Sequence, residues 1–196
     1  VGAAELHRTE GGRRIVFLGP PNSGKGTQAA MLAATLGVPA ISTGEMLRAA
    51  VARKSVLGER VEAVMAAGKL VCDDLMAEVV RARLAEDDAR GGFILDGYPR
   101  TLPQAEMLAS ILDGVALDAV LLVEAPEDVL LARALGRGRA DDTEEIARAR
   151  QRVYQEETAP LVAYYDSRGC VLRVDGSTSI ESVKTAIHRL LGVTAG

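Results

Sequence analysis

Five short runs of apolar, non-alternating residues separated by helical patterns constrain this chain more than any other feature. They are residues 13–19 (RRIVFLG), 40–42 (AIS), 93–96 (FILD), 119–123 (AVLLV) and 171–174 (VLRV). A strand with one wet face alternates apolar and polar residues; a short continuous run marks a strand covered on both faces. The intervening helical patterns supply the covers. Residues 24–36, for example, set Ala29, Leu32, Ala33 and Leu36 on one helix face. Helices between successive strands imply parallel pairing through right-handed crossovers. The expected fold is α/β, a three-layer sandwich around a five-stranded parallel sheet. A chain of 196 residues suffices for one such domain, burying about 70% of its unfolded surface. With aromatics at 3% and no Trp, the core must be aliphatic.

Two stretches break the rhythm. Residues 43–86 carry helical pattern without a strand, which reads as a helical insert beside the sheet, opened by a capping box at Ser42-x-x-Glu45. Residues 135–142 (LGRGRADD) form a short Gly- and Arg-rich loop, after which Asp142-x-x-Glu145 is expected to cap a long helix that kinks or restarts near Pro160.

Charge and composition narrow the function. A net charge of −4 without a basic, aromatic-laced patch argues against a nucleic-acid partner. No apolar run approaches the roughly 18 residues that a membrane span needs, and residues 1–12 read as a polar tail without a signal-like apolar region. Cys72 and Cys170 lie far apart, match no metal spacing, and are expected as free thiols of a cytoplasmic protein. His7 and His188 are expected at the surface.

Chemistry concentrates where the first strand meets the first helix, in Gly19-Pro20-Pro21-Asn22-Ser23-Gly24-Lys25-Gly26-Thr27. Glycines let successive backbone N–H groups turn inward around phosphate oxygens, the helix N-terminus adds positive potential, and Lys25 adds a point charge for the terminal phosphates. Gly26 stands between Lys25 and Thr27, where the strict pattern has the hydroxyl residue directly after Lys.

The string GKGTQ resembles the phosphate loop of adenylate kinases and their nucleoside-monophosphate kinase relatives. STGEMLR at 42–48, GKLV at 68–71, LDGYPRT at 95–101, GRGRADD at 136–142, ETAPL at 157–161 and VDG at 174–176 are also similar to motifs of that family. The resemblance covers nearly everything after residue 12. It implies a fold of the P-loop NTPase type with a monophosphate-binding insert at 43–72 and a short lid at 136–142. The implied reaction is reversible transfer of the ATP γ-phosphoryl group to AMP, giving ADP. Two departures stand out: Asn22 replaces a frequent Gly, which left-handed backbone at Asn can accommodate, and Glu45 replaces a frequent Asp.

Phosphoryl transfer asks a protein for positioning and for positive charge where negative charge accumulates. AMP phosphate is already mostly dianionic at neutral pH, so no general base is required. The resemblance assigns the ATP side to Gly19, Pro20, Asn22, Ser23, Gly24, Lys25, Gly26, Thr27, Arg133, Arg137 and Gly176. The AMP side falls to Thr43, Arg48, Lys69, Val71, Gly97, Arg100, Gln104, Arg139 and Arg150. Lys25, Arg100, Arg137, Arg139 and Arg150 carry catalysis, and Asp96 addresses Mg²⁺ through water. Structural zinc is not expected, because the 135–142 loop lacks Cys and His. The lids suggest a monomer.

Bland readings stand beside several of these. Arg48 and the loop arginines also suit solvated charges, and Asp96 a turn-forming carboxylate. Arg150 lies along the apolar face of Ile146 and Val153, unlike Arg148 and Arg152. Gln104 can pair its amide with the donor and acceptor edges of adenine, or close a capping box with Thr101. Thr43 and Gln104 favour AMP over UMP or CMP as acceptor. A nucleotide sensor without turnover is the alternative from another class.

Overall fold

The structure, a computed structural model, describes residues 13–136 and 143–193. Five parallel strands form one sheet in the order β2-β3-β1-β4-β5. They are β1 (Arg14–Leu18), β2 (Ala40–Ser42), β3 (Phe93–Asp96), β4 (Ala119–Glu124) and β5 (Val171–Asp175). Each falls on one of the five runs read from the sequence. In register, Val16 of β1 lies between Leu95 of β3 and Val120 of β4.

The absence of alternation has a direct cause. Val16, Leu18, Leu95, Val120 and Leu122 join one buried cluster, and Ile15, Phe17, Ile94, Leu121 and Val123 join the other. The second cluster is closed by α1 (Lys25–Leu36) and α9 (Ile180–Leu191), through Ala29, Leu32, Val183 and Ile187. The first is closed by α4 (Asp73–Leu84), α5 (Leu102–Ile111) and α8 (Pro160–Asp166), through Met76, Val80, Leu108 and Leu161. Truncating a fully enclosed leucine such as Leu121 or Leu161 to Ala is expected to cost about 2–5 kcal/mol.

Helices α2 (Thr43–Ala52) and α3 (Val56–Ala66) make up the start of the insert. They pack closely because Gly58 has no side chain: a Cβ there would lie 2.2 Å from the Ala50 carbonyl oxygen. Ser55 caps α3 by accepting from the Gly58 amide at 3.1 Å and donates to Ala50 O at 3.1 Å. Helix α6 (Glu127–Gly136) leads to the Gly- and Arg-rich loop, and α7 (Glu144–Val153) follows it. A π-helical turn, Tyr154–Thr158, joins α7 to α8 at Pro160.

Three local expectations change. Ser42 occupies the N-cap of α2, but its side chain makes no cap hydrogen bond and Glu45 is exposed, so the capping box does not form. The first turn of α2 opens onto the cleft described below, and the exposed Glu45 stands at its border instead of folding back on Ser42. The cap of α7 is Thr143, which accepts from the Ile146 amide at 3.3 Å. The proposed Asp142 cap lies outside the described residues; the helix begins one residue later, where Thr143 takes the extended N-cap conformation. His188 is buried, 7% exposed, and its Nε2 has no hydrogen-bond partner among the described residues. It sits about 100° around α9 from Ile187, at the margin of the stripe that packs on the sheet. His7 lies outside the described residues.

Candidate active site

The C-terminal ends of the central strands, where ligands sit in open α/β sheets, border a cleft of about 630 Å³. That volume lies within the range of small-molecule sites.

One wall is the loop between β1 and α1. Its backbone reverses through left-handed geometry at Asn22 (φ 67°) and Gly24 (φ 97°), so the expected tolerance of Asn22 is realised. Helix α1 starts without a side-chain cap and without an acidic residue in its first turn, which leaves its positive end directed along the loop. Lys25 donates to the Pro20 carbonyl at 2.6 Å and to Ser23 Oγ at 3.4 Å, drawing its ammonium across the loop. The loop rests on the sheet with no spare room. A Cβ on Gly19, at φ 133°, would fall 2.1 Å from Val123 O, and one on Gly176 would fall 2.8 Å from Ser23 O. Arg133, at the border of the cleft, ties the loop to the segment after β5. It donates to Gly176 O at 2.7 Å and more loosely to Ser23 O and Ser177 O, both at 3.4 Å.

The opposite wall comes from the insert and from the segment after β3. Thr43, fully buried, donates to Gly97 O at 2.9 Å and so ties the start of α2 to that segment. Arg48 folds back one turn, its Nη1 lying 3.2 Å from the position of a Gly44 Cβ. Arg100 donates from Nε to Gly97 O at 2.8 Å. Burial pulls the Arg100 guanidinium below the usual arginine range, Asp96 opposes the shift, and the nearby charge of Arg150 adds to it. Two guanidinium groups thus border the same cleft. Arg150 reaches it from α7, whose Ile146, Ala149 and Arg150 side chains pack against Gly68, in contact range of a Cβ built there. This agrees with the placement of Arg150 on the apolar face of its helix.

The cleft brings together Gly19, Asn22, Gly24, Lys25, Gly26 and Thr27 with Thr43, Arg48, Lys69, Val71, Asp96, Gly97, Arg100, Gln104, Arg133 and Arg150. Pro20 and Ser23 of the loop, and Gly176 beside it, are not among the residues that line the cleft. Arg137 and Arg139 lie outside the described residues. Gln104 sits between its two readings: Thr101 Oγ1 accepts from the Gln104 amide N–H at 3.3 Å, but the side chain reaches past Thr101 to accept from Arg100 N–H at 2.7 Å.

Some participants went unread in the sequence. Thr158, in the π turn, donates to Arg100 O at 2.8 Å and carries the tie between Arg100 and the α7–α8 corner. Its motif, ETAPL, was visible, but its partner is 58 residues away. Asp73 accepts from both Thr101 and Gln104, yet as a first-turn acid of α4 it looks like any residue placed to suit the helix dipole.

Asp96 closes the floor between the walls. Its Oδ2 lies 3.3 Å from the position of a Gly26 Cβ, so the bare glycine leaves room beside the carboxylate. Among the described residues no group of three or more His, Cys, Asp or Glu gathers to hold a metal. One carboxylate beside a phosphate loop fits Mg²⁺ that is bound mainly by phosphate oxygens and water. Among the described residues no helix is long and apolar enough to cross a membrane.

Comparison with known proteins agrees with this arrangement. A family model described as adenylate kinase matches residues 17–170. The adenylate kinase of Kocuria rhizophila is 51% identical over 184 residues, covering 91% of this chain and 98% of its own length. That of Nocardia farcinica is 49% identical over 181 residues, with 91% and 99% covered. That of Thermus thermophilus is 49% identical over 188 residues, with 93% and 98% covered. With a phosphate loop facing an arginine cluster across one cleft, and with these relatives matched over almost their whole length, the chain belongs to the adenylate kinase family.

Proposed function

We propose that this chain performs the family's reaction, ATP + AMP = 2 ADP, with the donor on the phosphate-loop wall and the acceptor on the insert wall. The observation that carries this reading is the opposition of the two walls: Lys25 and the start of α1 face Arg48, Arg100 and Arg150 across one cleft. A simple hydrolase needs the first wall only.

On the donor side, Gly19, Asn22, Gly24, Gly26 and Thr27 present backbone N–H groups to the β- and γ-phosphates, and Lys25 adds its charge there. Pro20 and Ser23 shape the loop by accepting from Lys25, and Gly176 packs against it. Arg133 holds the surface on which the ATP base lies, and Asp96 would hold Mg²⁺ through water. When bound, Mg²⁺ neutralises phosphate charge and orients the chain for transfer. On the acceptor side, Arg48 and Arg100 clamp the AMP phosphate. Thr43, Lys69, Val71, Gly97 and Gln104 receive the nucleoside, and Gln104 faces the adenine edge. Arg150, with Arg137 and Arg139, meets the migrating phosphoryl group, whose charge attracts guanidinium groups most strongly in the transition state. Residues 43–72 act as the monophosphate-binding insert and 136–142 as the short lid, in a cytoplasmic monomer without structural zinc.

The test is a coupled assay of ADP formation from ATP with AMP, UMP or CMP, alongside ATP hydrolysis without acceptor. The expected outcome is rapid transfer to AMP and hydrolysis slower by orders of magnitude. Preferential transfer to UMP or CMP would reassign the acceptor. Equal hydrolysis with and without AMP would leave a plain NTPase, and no turnover with retained nucleotide binding would leave a sensor.

A further inference from the structure

Gln104 is almost wholly buried, 2% exposed, and both ends of its amide are engaged. Oε1 accepts from Arg100 N–H at 2.7 Å. Nε2 donates to Asp73 Oδ1 at 2.8 Å. The same Asp73 oxygen accepts from Thr101 Oγ1 at 3.0 Å, and Thr101 Oγ1 in turn accepts from the Gln104 backbone N–H at 3.3 Å. These bonds close a ring across α4, the end of the 97–101 segment and α5.

Two members of the ring cannot invert. A backbone N–H only donates, and an ionised carboxylate only accepts. Turning the amide over would set Nε2 against the Arg100 N–H and Oε1 against Asp73 Oδ1, two repulsive contacts in a buried place. Of the two amide orientations, only one pairs a donor with an acceptor at each end. One lone pair on Oε1 and one hydrogen on Nε2 remain, and Gln104 borders the cleft.

A purine presents its six-position and N1 as a pair. A 6-amino purine offers a donor and then an acceptor; a 6-oxo purine offers an acceptor and then a donor. A free carboxamide serves either pattern by turning over, whereas a locked one serves a single pattern in a given pose. We propose that Asp73 is a specificity-positioning residue: by locking the polarity of the Gln104 amide, it makes the acceptor site take 6-amino purine monophosphates and reject 6-oxo ones. The inference rests on the reading that Gln104 faces the acceptor base.

The expected signature is a specificity ratio, which loss of packing alone does not move selectively. The ratio of kcat/KM for AMP to kcat/KM for IMP is measured in the parent, Asp73→Ala and Asp73→Asn, with melting temperatures taken in parallel. Removing the acceptor leaves Arg100 N–H alone to fix the amide, so the inverted orientation meets one repulsive contact instead of two, and Asp73→Ala is expected to lower the ratio by at least about 10-fold. Asp73→Asn keeps a carbonyl oxygen able to take both bonds, and is expected to stay within about threefold of the parent. An unchanged ratio in folded Asp73→Ala overturns the proposal. So does an equal fall in both variants, which would mean that charge rather than acceptor polarity matters. If Asp73→Ala does not fold, Asp73→Ser replaces it, since a hydroxyl donates or accepts and cannot impose a polarity. Gln104→Leu separates the two levels. A raised KM for AMP there, with an unmoved ratio in Asp73→Ala, removes only the lock; an unmoved KM for AMP in Gln104→Leu removes the adenine-facing reading and the lock with it.

Discussion

The two walls of the cleft are held in different ways. The phosphate loop sits on the sheet by backbone fit: Gly19 against Val123 O, Gly176 against Ser23 O, Gly176 N–H donating to Glu124 O at 2.7 Å. None of these contacts can be exchanged by a rotamer change, so the donor wall is fixed by the core beneath it. The insert wall is held by side chains. Thr43 and Thr158 donate to carbonyls of the 97–100 segment, and the atoms of α7 nearest to a Cβ built on Gly68 belong to the Ile146, Ala149 and Arg150 side chains. In α3 only Gly58 and Val61 are buried, and in α7 only Ala147. A site that must receive two nucleotides benefits from one rigid wall and one that can rearrange around its guest.

The sharpest way to break this comparison is Gly19→Ala. Its methyl would strike a backbone oxygen at 2.1 Å in a left-handed conformation, so a destabilisation above about 3 kcal/mol is expected, read as the chemical-denaturation midpoint or as failure to recover soluble protein. A stable Gly19→Ala protein would mean that the donor wall is not rigid.

Next in size is Lys25→Ala, for which the melting temperature should hold while kcat falls by at least about 10²-fold. Arg150→Ala, on the opposite wall, should also lower kcat with only a modest change in KM, because its contacts mature in the transition state. Steady-state kinetics on both nucleotides checks this; a large KM effect for Arg150→Ala would place it in ground-state binding.

Gln104→Leu comes third, with a rise in KM for AMP equivalent to about 1–3 kcal/mol and a smaller change in kcat. Because the amide also satisfies Arg100 N–H and Asp73, some stability should be lost too, and thermal unfolding measured beside the kinetics separates the two contributions.

The smallest effect belongs to Gly68→Ala. The three atoms nearest to its methyl would be side-chain atoms, at 3.4 Å or more, so the cost should be near the 1 kcal/mol or so of placing Ala at a positive φ. A loss comparable to Gly19→Ala would show both walls to be equally rigid and dissolve the distinction.

The sequence alone determined whatever is written in local period and local chemistry. Double-sided burial forbids alternation, so the five strands and their parallel pairing were readable from apolar runs such as AVLLV. A loop that must turn N–H groups inward needs glycines and a Lys in register, so the phosphate loop was readable too, down to the left-handed backbone that Asn22 accommodates. The tertiary structure decided what depends on partners distant along the chain. Asp73 and Gln104 are 31 residues apart, and Arg133 and Ser23 are 110 apart. Nothing in the neighbourhood of Asp73 distinguishes a carboxylate that accepts from a buried amide 31 residues away from one that merely suits a helix dipole. His188 carried no sign of burial, since its position at the margin of the α9 stripe is settled by how α9 rolls onto the sheet. Periodicity is a property of neighbours along the chain, whereas hydrogen-bond polarity and burial are fixed only when chain closure brings remote groups together and water is removed from between them.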